Sequence, residues 1–341
     1  MIRRPPRSTL DRASAASDVY KRQVEGESMH VDFDGTSPQV KAGINSPMNF
    51  TESSVWGGVR QVMDANIPNS SGSHHPITVT APKASVVNPV NPAPCGARGI
   101  VGYRIMEAVF GCLAQIVPDR VPADGEGGNT SISIGGYDLD HRPFTYVDLF
   151  AGSRGGRPNG DGPQGASHPG GNSSNTPVEI AEVESPVRIE EYGILPDTGG
   201  PGKYRASQSI VRRVRLLENE AVLQLRSDKR RNRAYGLNGG KSGDPSWNIV
   251  NPGRDDEYVV SPMGVTTLKQ GDVIHHVLAS GGGWGDPLDR DPSLVLEDVM
   301  EERLTVEYVR KEYGVVINEE SMAVDEVATS TLRADRRAVS N

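Results

Sequence analysis

From residue 124 to 175 the sequence is dominated by Gly, Asn, Ser and Asp, and this stretch limits the fold more than any other. Only two short patterns within it, at 129–134 and 143–150, alternate apolar and polar side chains as a half-buried strand does. A connection of that length inside a compact domain is either functional or disordered. The whole chain has 39 Gly and 25 Pro among 341 residues, about a fifth against roughly 12% in average proteins. They fall between patterned segments, which predicts many turns and ordered loops rather than a collagen-like or featureless chain.

Around that stretch the elements are readable. Met29–Gly35 alternates as a strand, and Ile77–Ala81 is a short strand between prolines. Asn49 and Glu52 approximate a capping box ahead of Val55, Trp56, Val59 and Val62, predicting a helix over 50–64. Ile100, Val101, Ile105, Val109, Leu113 and Val117 predict a helix over 98–117, stopped by Pro118. Strands are expected at 187–195, 203–215, 219–228, 257–260 and 273–279. Asp291-Pro292 opens a helix, Thr305 a second one closed by Gly314, and 323–337 a marginal third.

Several functions are disfavoured. The net charge of −8 argues against a general nucleic-acid surface. No window approaches the length of a membrane span. Cys95 and Cys112 are the only cysteines and form no Cys-x-x-Cys, and Cys112 falls in an apolar helical pattern as a buried free thiol. A soluble, cytoplasmic protein is the expectation. Residues 1–23 are basic, Ser-rich and without the apolar run of a signal peptide. They resemble translated sequencing-adapter read-through at the edge of a metagenomic reading frame, so the native protein is expected to continue upstream.

Tested singly, the motifs fail. Gly236–Gly243 misses the phosphate-loop register because Tyr235 stands where its first glycine belongs. In Ser280–Pro287, Asp286 occupies the last glycine of a dinucleotide fingerprint. His74-His75 and His275-His276 are adjacent pairs that point to opposite faces of a strand. Asp138-x-Asp140-His141 reads as a solvated loop rather than a metal site. Within 152–179, Arg154, Arg157, Asn159, Asp161, His168, Asn172, Asn175 and Glu179 are interleaved with glycines that let backbone amides face an anion. A polar surface loop is an equally open reading.

Several stretches taken together resemble the hydantoinase B/oxoprolinase family. The matches are Asp32–Val40 leading into Gly43-Ile-Asn45, Asn88–Arg98, Leu113–Ala123, Gly155–Gly162 with Asn175–Glu179, Leu195–Tyr204, Gly236–Gly240, Ser280–Pro287 and Tyr313–Val316, all in the family's order. The departure is Ala151-Gly-Ser-Arg154, which is less glycine-rich than usual.

The resemblance implies ATP-dependent ring opening of 5-oxoproline or hydantoins, with carboxylation of acetone-like ketones, or a non-catalytic docking module, as alternatives. It also implies a hydantoinase A-like partner that binds ATP, hence a hetero-oligomer, and a divalent metal held by an upstream region whose motifs do not occur here. No cofactor-binding motif lies in the chain itself. The chain is therefore expected to be a C-terminal part, inactive alone, whose loop contributes Arg154, Asp161, His168 and Asn175 as catalytic groups. The expected fold class is α+β, strand-rich, with a long central glycine-rich loop. Its divisions are 1–23, a mixed part at 24–123, a strand-rich part at 124–288 and a helical C-terminal cap at 289–341.

Overall fold

The computed structural model describes residues 21–340 except Gly26, Asn129, Ala151 and Asn172. Most of the segment read as foreign, residues 1–20, therefore lies outside the described residues, and its expected end at Gln23 falls inside the first strand. The chain forms two compact units, Met1–Val121 and Pro122–Asn341.

In the first unit, β1 (Lys21–Glu25), β2 (Ser28–Asp32) and β3 (Ile77–Thr80) form a small sheet, antiparallel then parallel. Helices α1 (Met48–Arg60) and α2 (Gly99–Leu113) pack together through Gly57, Gly58 and Gly102, where a side chain would strike the facing helix. Phe50 and Ser54 face Gly102 while Gly58 faces Val109, so the two helices run in the same direction. Asn45 of the matched Gly43-Ile-Asn45 is fully buried; its amide donates to the Val40 and Pro94 carbonyls at 2.8 Å each. It pins the loop into α1 against the proline-rich connector. The capping box expected at Asn49 and Glu52 does not form. The helix starts at Met48 behind Pro47, whose fixed φ favours helix entry, and Asn49 Oδ1 accepts from the adjacent Phe50 N–H. Cys112, expected to be buried, is only partly so.

The second unit contains two antiparallel sheets. One is ordered β11 (Met263–Lys269), β8 (Glu220–Arg226), β4 (Thr130–Tyr137), β5 (Pro143–Phe150). The other is ordered β10 (Tyr258–Val259), β9 (Trp247–Val250), β12 (Val273–Val277), β7 (Ser209–Leu216), β6 (Val187–Leu195). A short helix, α3 (Val178–Glu184), precedes β6. The inward residues of both sheets, among them Ile132, Ile134, Val214, Leu223, Leu225, Val250 and Ile274, share one core. Alternation places each of them: in β5 Tyr146, Asp148 and Phe150 are buried while Val147 and Leu149 are exposed.

One cross-strand row of the second sheet is polar, running from the exposed Tyr192 to three buried residues. Tyr192, Arg212, His276 and Asn248 are register partners on β6, β7, β12 and β9. Arg212 reaches the other sheet to form an ion pair with Asp148, both essentially inaccessible to solvent. Its guanidinium lies 5.1 Å from the centre of the Phe150 ring and 3.7 Å from that of Tyr192. Tyr146 donates to Asp148 at 2.7 Å, and burial pushes the Tyr146 hydroxyl up to about 12, which keeps it a donor. A charge pair spanning two sheets holds them in one register, because sliding would strand either charge in an apolar layer.

The C-terminal helices match expectation closely. Asp291 caps α4 (Pro292–Met300), its side chain accepting from Ser293 N–H at 2.9 Å. Thr305 caps α5 (Val306–Tyr313), and Gly314 ends it at φ 62°. After the β13 (Ile317–Asn318) and β14 (Ala323–Val324) hairpin, α6 (Glu326–Ser340) follows. Val295, Leu304, Val309, Tyr313 and Val315 form their core. The protein is thus α+β, strand-rich, with a helical C-terminal region.

Candidate functional site

The glycine-rich loops form a knot of backbone in the second unit. The Gly156 N–H donates to Gly282 O, and the Gly282 N–H to Asp124 O, both at 2.9 Å. Gly200 N–H donates to Gly281 O at 2.9 Å, Lys241 N–H to Pro201 O at 2.7 Å, and Tyr204 and Trp284 exchange two bonds of 2.9 Å. Five segments far apart in sequence, around residues 124, 155, 202, 238 and 283, thereby lie backbone against backbone. Glycine is required: a Cβ on Gly200 would sit 2.5 Å from Lys241 O, and one on Gly281 2.5 Å from the Arg154 carbonyl carbon. Gly236–Gly240 is accordingly a tight turn in this knot, with Asn238 and Gly239 at positive φ.

At the knot several ionisable side chains are held out of water. Asp124 is 2% exposed and forms an ion pair with Lys229, itself 9% exposed. Asp124 Oδ2 also accepts from Tyr235 N–H at 3.4 Å. Lys229 has φ 56°, a left-handed conformation costly for a side chain of its kind, and the Asp228 carboxylate fixes it by accepting the Lys229 N–H at 2.8 Å. Buried Glu126 accepts from Gly128 N–H at 2.8 Å, while its own N–H donates to Ser153 O at 2.9 Å. His168, 5% exposed, packs against Gly128, where φ is +55° and a Cβ would collide with the histidine. His168 Nδ1 accepts from Gly170 N–H at 3.1 Å, so the neutral ring carries its proton on Nε2. The Arg154 guanidinium donates to Ser167 O at 3.4 Å, beside His168.

Of the four expected groups, Arg154 bonds the residue preceding His168, while Asp161 and Asn175 are directed elsewhere. Both oxygens of Asp161 accept from Arg290, at 2.7 and 2.8 Å, and Oδ1 also takes the Arg205 N–H at 2.9 Å. Arg290 and Arg205 each donate to Asp298 on α4 at 2.7 Å. That ion-pair network gives Asp161 a fastening role between the loop and the C-terminal helices. The Asn175 amide donates to the Tyr192 hydroxyl, over the buried Arg212. Arg157 is exposed, its guanidinium donating to Asp161 O at 3.1 Å, and Asn172 lies outside the described residues.

Sequence reasoning missed Asp124, Glu126 and Lys229. A signal existed in Asp124-Gly-Glu-Gly-Gly128, acids alternating with glycines directly after a matched motif. Lys229 is masked by the basic run around it. The histidine pairs behave as strand geometry requires: His276 is fully buried and His275 is on the other face, 3.4 Å from Arg213. Asp138 accepts from the N–H groups of Asp140 and Arg142, an exposed turn. Among the described residues no group of three or more His, Cys, Asp or Glu converges as a metal site requires. No helix there is long and apolar enough to cross a membrane.

The family model for hydantoinase B/oxoprolinase matches residues 8–287. The chain belongs to this family. It is 31% identical over 320 residues to the B chain of a putative D-/L-hydantoinase from a Pseudomonas species, covering 91% of this chain and 53% of that one. The crystal structure of an ATP-dependent caprolactamase from Pseudomonas jessenii superposes with a TM-score of 0.80 at 25% identity, covering 92% of this chain and 56% of the other. A nucleotide-free acetone carboxylase shares the fold, with a TM-score of 0.80 at 18% identity over 93% and 48% of the two chains. The chain spans about half the length of the curated relatives it matches first.

Proposed function

We propose that this hydantoinase B-type chain takes part in the ATP-dependent opening of a small cyclic amide, acting with a hydantoinase A-like partner chain in a hetero-oligomer. Relatives named as 5-oxoprolinase and as the beta chain of a caprolactamase support the reaction class and the assembly with a second chain. The observation that carries the reading is the set of buried ionisable groups, Asp124, Glu126, His168 and Lys229, held on glycine-stitched loops. Groups so placed act in a low dielectric, where fixed donors stabilise developing charge far better than in water.

ATP, bound by the partner, supplies a phosphoryl group that turns the amide oxygen into a leaving group. This chain's own residues account for the rest. Water adds to the carbon bearing the phosphorylated oxygen, and the C–N bond breaks as the ring nitrogen takes a proton. A second water releases phosphate from the acyl phosphate so formed. The Nε2–H of His168 and the Arg154 guanidinium are donors suited to the negative charge that collects on those oxygens. Lys229 pairs with Asp124 and so positions the loop that carries Glu126. Glu126, whose N–H donates to the carbonyl of Ser153 next to Arg154, is suited to accept the water's proton.

The test is reconstitution of the native full-length chain with its A-type partner, followed by ATP-dependent ring opening of 5-oxoproline, hydantoin and caprolactam. Changing His168→Ala or Arg154→Ala lowers kcat by about 100-fold or more with thermal unfolding unchanged. Wild-type turnover in both variants would remove them from the site. ATP-dependent turnover of acetone but of none of the lactams would overturn the cyclic-amide reading.

A further inference from the structure

The four-stranded sheet β11-β8-β4-β5 buries one face, with Ile132, Ile134, Leu223 and Leu225 in the core. Alternation turns the intervening residues outward, and Tyr137, Val147, Leu149, Val222, Met263 and Val265 are exposed there. Single apolar residues at a surface are ordinary. Six on one face of one sheet form a patch of the kind that marks an interaction surface.

Two features of this face are unanswered within the chain. Along β8 the outward residues read Glu220, Val222, Gln224 and Arg226, so opposite charges stand at the two ends. Six residues separate them, about 20 Å along a strand, which is too far to pair. Among the described residues neither forms an ion pair, and Arg226 Nε is buried without an acceptor. Along β4 the outward residues are Ser131, Ser133, Gly135 and Tyr137, small except the last. Ser131, the register partner of Arg226, is fully buried, and its hydroxyl also has no hydrogen-bond partner among the described residues. Tyr137 stands 65% exposed at the opposite end, one position beyond the Gly136–Ala221 pair and so beside Glu220.

One symmetry operation answers both. Ile134 and Leu223 are register partners midway along these two series. A half-turn about an axis in the plane of the sheet, running across the strands through that pair, exchanges the ends of β4 and of β8. It lays Glu220 of a second copy over Arg226, and Tyr137 of that copy over Ser131. The ring fills the trough left by the small side chains of β4, and its hydroxyl can accept from Ser131. Each contact occurs twice, as a two-fold interface requires.

We propose that the outer face of this sheet binds a second copy of the chain, face to face, with β8 antiparallel over β8. Four strands about 4.8 Å apart and seven residues of about 3.4 Å rise give a face of roughly 400 Å² per copy. That extent is small among specific interfaces, so the dimer is a weak one that dissociates on dilution. The face shares no residue with the groups assigned to catalysis, so it stands or falls apart from that assignment.

Sedimentation equilibrium of the full-length chain from about 1 to 100 μM reads the association. Wild type passes from monomer to dimer over this range. Arg226→Glu and Glu220→Arg each raise the dissociation constant about tenfold or more, because each reversal acts twice in the interface. Mixing the two variants in equal amounts restores the dimer, since opposite charges then meet at both contacts. Peroxide oxidation of Met263, followed by mass spectrometry, needs no variant: it slows as wild type dimerises, while exposed Met300 on α4 reacts at a constant rate. Four results overturn the proposal: a monomer throughout, a dimer indifferent to both reversals, no recovery on mixing, or Met263 oxidation independent of concentration. A face covered instead by a different chain, or by another segment of this one, gives the first or the last of these.

Discussion

Removing one charge of the Arg212–Asp148 pair should cost far more than removing both. Arg212 is 0% and Asp148 1% exposed, so neither can recover hydration when its partner is lost. With Asp148→Leu the guanidinium is left between the Phe150 and Tyr192 rings with no counter-ion; with Arg212→Met the carboxylate keeps only the Tyr146 hydroxyl. Each single change should destabilise by about 3–5 kcal/mol, since an uncompensated buried charge is what remains. The double variant carries no charge and two apolar side chains of similar reach, so it should lie within about 2 kcal/mol of wild type. The single changes sum to roughly 6–10 kcal/mol, which leaves a coupling of about 4 kcal/mol or more. Urea unfolding at pH 7, read by tryptophan fluorescence with the m-value compared across all four proteins, measures it. A double variant as unstable as the sum of the singles would show that the pair acts through shape rather than charge, and the register argument would fail.

Burial, with His275 and Arg212 beside it, pushes the His276 imidazole from its ordinary 6.5 down to about 3. The unfolded chain therefore takes up this proton first. The stability held by the neutral ring is complete above about pH 6.5 and falls by about 1.4 kcal/mol per unit below it, until the folded form protonates near 3. His276→Gln should remove one proton's worth of slope from urea-derived stability between pH 6 and about 4.5; an unchanged slope would place the linkage elsewhere. Arg290→Met removes the arginine that bridges Asp161 and Asp298, leaving Asp298 to Arg205 and Arg303. It should speed hydrogen exchange throughout α4 at a cost of about 3 kcal/mol or more, whereas protection equal to wild type would make the network ornamental. Gly281→Ala drives a methyl onto the Arg154 carbonyl and should cost about 3 kcal/mol or prevent folding, read as the loss of a cooperative melt.

The elements were legible where a single periodicity governed the residues. The C-terminal helices show their caps openly at Asp291, Thr305 and Gly314, and β5 alternates cleanly. Other features were hidden for definite reasons. β9 is only Trp247–Val250 and is hemmed by Pro245 and Pro252, and α3 is a seven-residue turn after Pro177. β11 alternates weakly because its outer face carries Val265 as well as threonine. The strand expected from 203 begins at Ser209, since Lys203–Gln208 is drawn into the loop knot by its bonds to residues 154, 200, 284 and 285.

The local order of strands, caps and turns, and the family resemblance with its chemistry, reside in the sequence, because neighbouring residues determine periodicity, capping and motif spacing. Which charges meet is a different matter. Asp161 lies 129 residues from Arg290, and Asp124 lies 105 from Lys229. No local pattern encodes those pairings; they form only when glycines allow five distant backbone segments to touch, and burial then makes each charge depend on its partner. The long central stretch proves in this way to be neither surface loop nor disorder along most of its length. It is the part of the chain around which the second unit is tied, and tertiary packing alone decides which of its polar residues fasten the fold and which are left for chemistry.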